Sequence, residues 1–144
     1  MPIRRATSAD LPTIASLIHE LAAYEELAHE VEFARPDLGA ALFGEDPAAR
    51  VLLAEEDPGQ VVGMALYYVT FSTFLGRSGI WLEDLFVRPE HRGRGHGSAL
   101  IRTLRDLTDG RVEWAVLDWN RPAIDFYDRL GATPVPGWTR YRWR

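Results

Sequence analysis

The spacing of apolar residues changes several times along this chain, and each change predicts an element. Ile14, Leu17, Ile18, Leu21 and Tyr24 recur at steps of three and four, the period of a helix with one buried face. Thr7 or Ser8 is placed to cap that helix, with Asp10 in its first turn. Ile3 to Ala6 before it reads as a short strand, and Asp37 to Phe43 after it as a second, short helix. Arg50 to Glu55 and Val61 to Thr70 read as strands. Between them, Asp57-Pro58-Gly59-Gln60 sets Pro and Gly where a type II turn requires them, which makes the pair a hairpin. Ser72 to Gly79 reads as a loop, and Ile80 to Val87 as a strong strand.

That strand runs into Arg92-Gly93-Arg94-Gly95-His96-Gly97, which opens an amphipathic helix from Ser98 to Leu107, ending near Thr108. Val112 to Asp118 is a further apolar strand. Asn120 can cap a last helix with Pro122 in its first turn, running to about Leu130, where Gly131 stops it. Trp138 to Trp143 alternates aromatic residues with arginine, as a final strand would. The expected fold is a single α/β domain over residues 1–144. Its mixed, mostly antiparallel sheet has about six or seven strands, with helices on both faces.

Composition narrows the function classes. A chain of 144 residues with 47% hydrophobic and 26% charged residues can bury one ordinary core. No apolar run approaches the roughly 20 residues of a membrane span. The segment Met1 to Thr7 has no apolar stretch after its arginines, so no signal peptide and a cytoplasmic location are expected. A net charge of −5 argues against a nucleic-acid partner. With no cysteine there is no disulfide and no thiol nucleophile. The four histidines have no metal-ligand spacing, so no metal site is expected. All sixteen basic residues are arginine. The absence of lysine removes Schiff-base chemistry and the phosphate-loop lysine.

The glycine turn carries the most chemistry. Glycines let backbone approach a ligand closely, and the first amides of a helix have no internal partners. Strand, glycine turn and helix together form a cradle for a phosphate. A P-loop would need Gly-Lys-Ser/Thr. A dinucleotide fingerprint would need a third glycine where Ser98 stands, and far more chain than the 47 residues from 98 to 144. The remaining pattern is Arg/Gln-x-x-Gly-x-Gly/Ala, here Arg92, Gly95 and Gly97. It resembles the acetyl-CoA pyrophosphate loop of the GCN5-related N-acetyltransferase (GNAT) superfamily. Leu85 to Gly93 resembles that superfamily's strand-to-loop passage. Asn120 to Tyr127, followed by Leu130-Gly131-Ala132, resembles its second cofactor motif. Tyr24-Glu25, Trp81 to Val87 and Trp119 to Ile124 are similar to the spermidine/spermine acetyltransferase family, whose relatives act on thialysine and small diamines. One departure stands out: that family carries an acid before its C-terminal Gly-Trp pair, and here Pro136 precedes Gly137-Trp138.

The resemblance implies the GNAT fold and direct acetyl transfer from acetyl-CoA to a primary amine of a small molecule. It implies that Arg92, Gly93, Arg94, Gly95, His96, Gly97 and Ser98 hold the pyrophosphate, with Arg88 adding positive charge nearby. Backbone groups of Leu85, Phe86 and Val87 would pair with the pantetheine arm, and Asn120, Pro122 and Ala123 would complete the cofactor site. Tyr24, Glu25, Glu83 and Asp84 would contact the amine, and Glu113 to Ala115 match a further substrate stretch. Tyr127 would protonate the departing thiolate. Glu83 would bind the amine and take its proton, because an aliphatic ammonium, with a pKa near 10.4, must lose a proton before it attacks. Glu83 and Asp84 are neighbours in a strand, so alternation sends them to opposite faces unless the strand bulges. Family members are usually homodimers. Two other readings stay open: transfer to an amino acid or antibiotic amine, and a catalytically silent acyl-CoA sensor.

Overall fold

The computed structural model describes residues 2–144. In chain order the elements are β1 (Ile3–Arg5), α1 (Leu11–Tyr24), α2 (Arg35–Phe43), β2 (Arg50–Glu55), β3 (Val61–Ser72), β4 (Arg77–Val87), α3 (His96–Asp106), β5 (Val112–Glu113) and α4 (Arg121–Leu130). The strands lie side by side in the order of the chain. The first three pairings are antiparallel; short turns join β2 to β3 and β3 to β4, whereas α1 and α2 lie between β1 and β2. The last, β4 with β5, is parallel, and α3 is the crossover it needs.

Each face of the sheet has its own core. Ile14, Leu17 and Leu21 of α1 and Leu42 of α2 pack on Val51, Leu53, Met64, Leu66 and Phe86. Leu100, Ile101 and Leu104 of α3 pack on the opposite face against Leu52, Val62, Tyr67, Ile80 and Leu82, with Phe126, Tyr127 and Leu130 of α4 at the margin. Burial of each such large side chain contributes about 1.5–3 kcal/mol. The expected mixed sheet with helices on both faces is therefore present.

Several boundaries differ from expectation. A 3₁₀ turn, Ser8–Asp10, precedes α1. Asp10 reaches back, accepting from the Thr7 N–H at 2.7 Å and from both outer nitrogens of Arg4 at 2.8 Å. The Arg4 guanidinium holds the Asp10 carboxyl down at about 2. The helix expected from Asp37 starts at Arg35. The loop expected over Ser72 to Gly79 shrinks to residues 73–76, because the hairpin ladder continues to Ser72 opposite Arg77.

Among the described residues the sheet has five strands rather than six or seven. Two segments make the difference. The strand expected over Val112 to Asp118 pairs only through Val112 and Glu113. The strand expected over Trp138 to Trp143 is not formed: Trp138, Tyr141 and Trp143 are 83%, 94% and 99% exposed, and a strand with no buried face gains little from pairing.

The short β5 has its cause in β4. Leu66 lies opposite Asp84, but the next residue, Tyr67, lies opposite Leu82. Glu83 is thus the extra residue of a β-bulge, which bends a strand and reverses its alternation. Ile80 and Leu82 face α3, whereas Phe86, also even-numbered, faces α1. The β5 ladder ends at Trp81 opposite Glu113, just before the bulge. Beyond that point the two chains line opposite sides of a cleft. Among the described residues no helix is long and apolar enough to cross a membrane.

Candidate active site

The cleft has a volume of about 360 Å³. One wall is Leu82 to Val87 of β4, the other Trp114, Ala115 and Val116 after β5. It gathers nearly every residue singled out from the sequence. Tyr24, Glu25, Glu83, Asp84, Leu85, Phe86, Val87, Arg92, Gly93, Gly95, His96, Gly97, Ser98, Asn120, Pro122, Ala123 and Tyr127 all line it. Arg94 does not, and neither does Arg88. The Arg94 side chain turns away to Glu56, with Nη1 2.8 Å from each carboxylate oxygen. Arg88 bonds Glu20 at 3.0 Å and the Val61 carbonyl at 3.2 Å, so it ties β4 to α1 instead of adding charge to the loop.

One end of the cleft is a cradle of amides. Gly93 and Gly95 sit at φ +76° and +88°, which only glycine adopts without strain, and Gly95 is the N-terminal cap of α3. The first bond of the helix runs from the Ala99 N–H to the Gly95 carbonyl at 3.0 Å. Among the described residues no acceptor meets the amides from Gly93 to Ser98. A β-carbon on Gly97 would come within 3.3 Å of the Phe126 ring, so α3 and α4 approach closely behind the cradle. Free amides at the positive end of a helix fit a pyrophosphate.

The opposite end is acidic. Glu25 from the end of α1 and Glu83 and Asp84 from the bulge line it together. Burial, then the nearby charges of Glu83 and Glu25, pushes the Asp84 carboxyl up to about 7. Burial raises Glu25 as well. Glu83 is exposed and accepts from Trp81 Nε1 at 3.2 Å.

Between the two ends stands Tyr127, its ring 5.0 Å from that of Trp114 and 5.4 Å from that of Phe126. Burial, with a smaller contribution from Glu25, pushes its phenol up to about 12, so it keeps its proton. Asn120 realises its expected cap, its Oδ1 accepting from the Ala123 N–H at 3.3 Å. The same oxygen accepts from the Tyr24 hydroxyl at 3.2 Å, which links the ends of α1 and α4 across the cleft. The Arg92 guanidinium lies 4.9 Å from the Tyr24 ring centre and 5.4 Å from that of Phe86, and donates to the Val87 carbonyl at 2.7 Å.

Sequence reasoning passed over His91, Phe126, Arg129 and Val116, which also line the cleft. Of the stretch Glu113 to Ala115, only Glu113 stays outside. Phe126 had a readable signal, since it neighbours Tyr127 on the helix. Val116 had none, because its place depends on the bulge.

A five-stranded sheet split beside a bulge, with a free-amide helix start at one end, defines an acyltransferase of the GNAT type. The sequence model of the acetyltransferase (GNAT) family matches residues 15–132. The chain belongs to this family and is an N-acetyltransferase. It is similar to the thialysine N-epsilon-acetyltransferase of Bos taurus, at 42% identity over 97% of this chain and 90% of the relative. It is also similar to an L-ornithine N5-acetyltransferase of Arabidopsis thaliana, at 30% identity over 94% of this chain and 81% of the relative. Among solved structures, an integron cassette protein from the mobile metagenome of V. cholerae superposes with a TM-score of 0.80 at 26% identity. That match covers 99% of this chain and 91% of the other.

The raised Asp84 carboxyl predicts a pH dependence of stability. Its folded pKa, about 7, lies above its unfolded value, so the native state holds the proton more tightly. Stability therefore falls as pH rises from about 4 to about 7, by at most about 1.4 kcal/mol per pH unit. Asp84→Asn removes this slope. Urea unfolding should find the variant more stable than the wild type at pH 8, with the gain vanishing near pH 4. Parallel curves at both pH values would overturn this prediction.

Proposed function

We propose that the protein moves the acetyl group of acetyl-CoA to a primary amine of a small, cationic molecule: a diamine, a polyamine or a thialysine-like amino acid. The observation that carries this reading is the polarity of the cleft, free amides at one end and three carboxyl groups at the other. The names of the relatives, which act on thialysine and L-ornithine, support the same substrate class. Pro136 before Gly137-Trp138 places an uncharged residue where polyamine-binding relatives carry an acid, which favours the shorter amines.

Acetyl-CoA supplies an activated thioester. The amides from Gly93 to Ser98 hold its pyrophosphate, and Asn120, Pro122 and Ala123 flank its arm. Backbone groups of Leu85 to Val87 pair with that arm, and an N–H there acts as a fixed donor to the thioester oxygen. Glu25, Glu83 and Asp84 draw the ammonium to the far end by charge. Glu83, exposed at the bulge, binds the amine and takes its proton, directly or through water. Asp84, at about 7, can share that proton at neutral pH.

Tyr127 returns a proton to the leaving sulfur. A phenol at about 12 is a reluctant donor in water, but the burial that raises it also raises the basicity of a thiolate beside it. We further propose a homodimer. The exposed Trp138, Tyr141 and Trp143, with Phe71 and Phe74 at the end of the β3–β4 hairpin, offer more apolar surface than a lone domain usually leaves in water.

Free-thiol release from acetyl-CoA across a panel of amines tests the activity. Release should be fastest with thialysine, ornithine or short diamines; release with none, despite cofactor binding, would leave an acyl-CoA sensor. Aminoglycosides as the best acceptors would favour the antibiotic alternative. Tyr127→Phe should lower kcat about 10²-fold with little change in coenzyme A affinity, and an unaltered kcat removes its acid role. Glu83→Gln should lose more rate at pH 7 than at pH 9, where more of the amine is already neutral; a uniform loss would exclude Glu83 as base. Light scattering should give twice the chain's mass, and a monomer at micromolar concentration would refute the dimer.

A further inference from the structure

The hairpin between β2 and β3 sends a carboxylate to the back of the glycine loop. Glu56 directly follows β2, and its N–H donates to the Gln60 carbonyl at 3.2 Å, so its backbone is anchored at the base of the turn. Its Oε1 lies 2.8 Å from Arg94 Nη1, 3.0 Å from His96 Nε2 and 3.1 Å from His91 Nδ1. One carboxylate therefore engages three side chains of a six-residue stretch. They bracket Gly93 and Gly95, the two left-handed joints of the cradle.

The three partners differ in what else holds them. His96 is 2% exposed, and its Nδ1 is buried with no partner among the described residues. Among the described residues Glu56 is thus the only polar tether of its ring, and the bond to Nε2 fixes that ring. Arg94 turns away from the cleft to meet the same carboxylate. The bonds from His96, Arg94 and His91 hold the Glu56 carboxyl down at about 2, so it stays ionised at any ordinary pH.

We propose that Glu56 is a positioning residue for acetyl-CoA binding: its contacts with His91, Arg94 and His96 hold the loop amides in their cradle before the cofactor arrives. The inference rests on the reading that this loop holds the cofactor pyrophosphate. Glycine joints lose more backbone freedom on ordering than other residues. A loop ordered in the free protein spares that loss at binding.

Glu56 also has an opposing effect. It neutralises Arg94 beside an anion site, so its removal leaves the loop one charge more positive. If the field dominated, Glu56→Ala would bind coenzyme A more tightly. The loss of three bonds, one of them the only tether of a buried ring, points to weaker binding instead.

The full chain is tested with coenzyme A, acetyl-CoA and S-acetylpantetheine, a thioester that carries the arm without the pyrophosphate. Glu56→Ala should weaken coenzyme A binding by calorimetry about tenfold and raise the KM for acetyl-CoA to match. Its kcat and the amine KM should stay within about twofold, as should kcat/KM with S-acetylpantetheine. Glu56→Gln keeps the side-chain size and one acceptor, and should fall between wild type and Glu56→Ala; it serves if the alanine variant does not fold. Unchanged or tighter coenzyme A binding by both Glu56 variants, or an equal loss with S-acetylpantetheine, would overturn the proposal. Wild-type protein that binds no coenzyme A would overturn the acetyl-CoA reading and this inference with it, a result distinct from a variant that binds as wild type does.

Discussion

One inserted residue in a central strand organises this molecule. Glu83 has no partner opposite it on β3, and three consequences follow from that local fault. The alternation of β4 reverses, so Asp84 shares the face of Phe86 and meets the end of α1, while Leu82 and Leu85 face α3 and α4. The parallel ladder to β5 stops at Trp81, and the sheet parts into a cleft. Glu83 itself is left exposed at the opening. The bulge weakens the ladder and leaves the neighbouring Asp84 carboxyl in a poor solvent. The two cores on either face of the sheet offset that cost, which is why a split in the middle of the domain persists.

The cleft is shaped as much by helix ends as by strands. The end of α1, the start of α3 and the start of α4 converge on it, and each contributes an orphan or a tether. Tyr24 joins the first to the last through the side-chain Oδ1 of Asn120, and the Arg92 guanidinium lies over the Tyr24 ring. Asn120 therefore does two jobs with one atom, capping α4 and holding α1. The acidic end and the amide end stay apart because they rest on different elements: Glu25, Glu83 and Asp84 on α1 and β4, the free amides on α3.

The helices were legible in the sequence because burial on one face leaves a period, as Ile14, Leu17, Ile18 and Leu21 show. The cradle was legible because its function needs residues that are rare in combination. The seven-residue step from Asn120 to Tyr127 put both on one side of a helix, and both line the cleft. The failures have a common physical source. A bulge is a relation between two strands, so the adjacent acids Glu83 and Asp84 could raise it only as a condition, and the early end of β5 was invisible with it. The alternation of Trp138 to Trp143 promised a strand, but a strand also needs an edge and a cover. Glu56 stands 40 positions before His96, in a turn, where polar contacts leave no period to read.

On the proposed reading of the loop, the arginines show how an acidic chain would present an anion site. Three of them lie in or near the loop, and each is engaged by the protein: Arg88 by Glu20, away from the loop, Arg94 by Glu56, and Arg92 by the Val87 carbonyl, with its guanidinium over the Tyr24 and Phe86 rings. Their charge does not vanish, but two of the three are paired and none is a free arm in the cleft. What remains unpaired at the loop, among the described residues, is the set of backbone amides from Gly93 to Ser98. Backbone dipoles cannot be displaced by a counter-ion or swung aside, and their orientation is fixed by φ and ψ rather than by a long rotamer chain. Attraction to such a site is short-ranged and less sensitive to salt than attraction to mobile guanidinium groups. It depends instead on geometry, and the contacts of Arg92 with the Val87 carbonyl and of Arg94 with Glu56 bear on that geometry by tethering the loop.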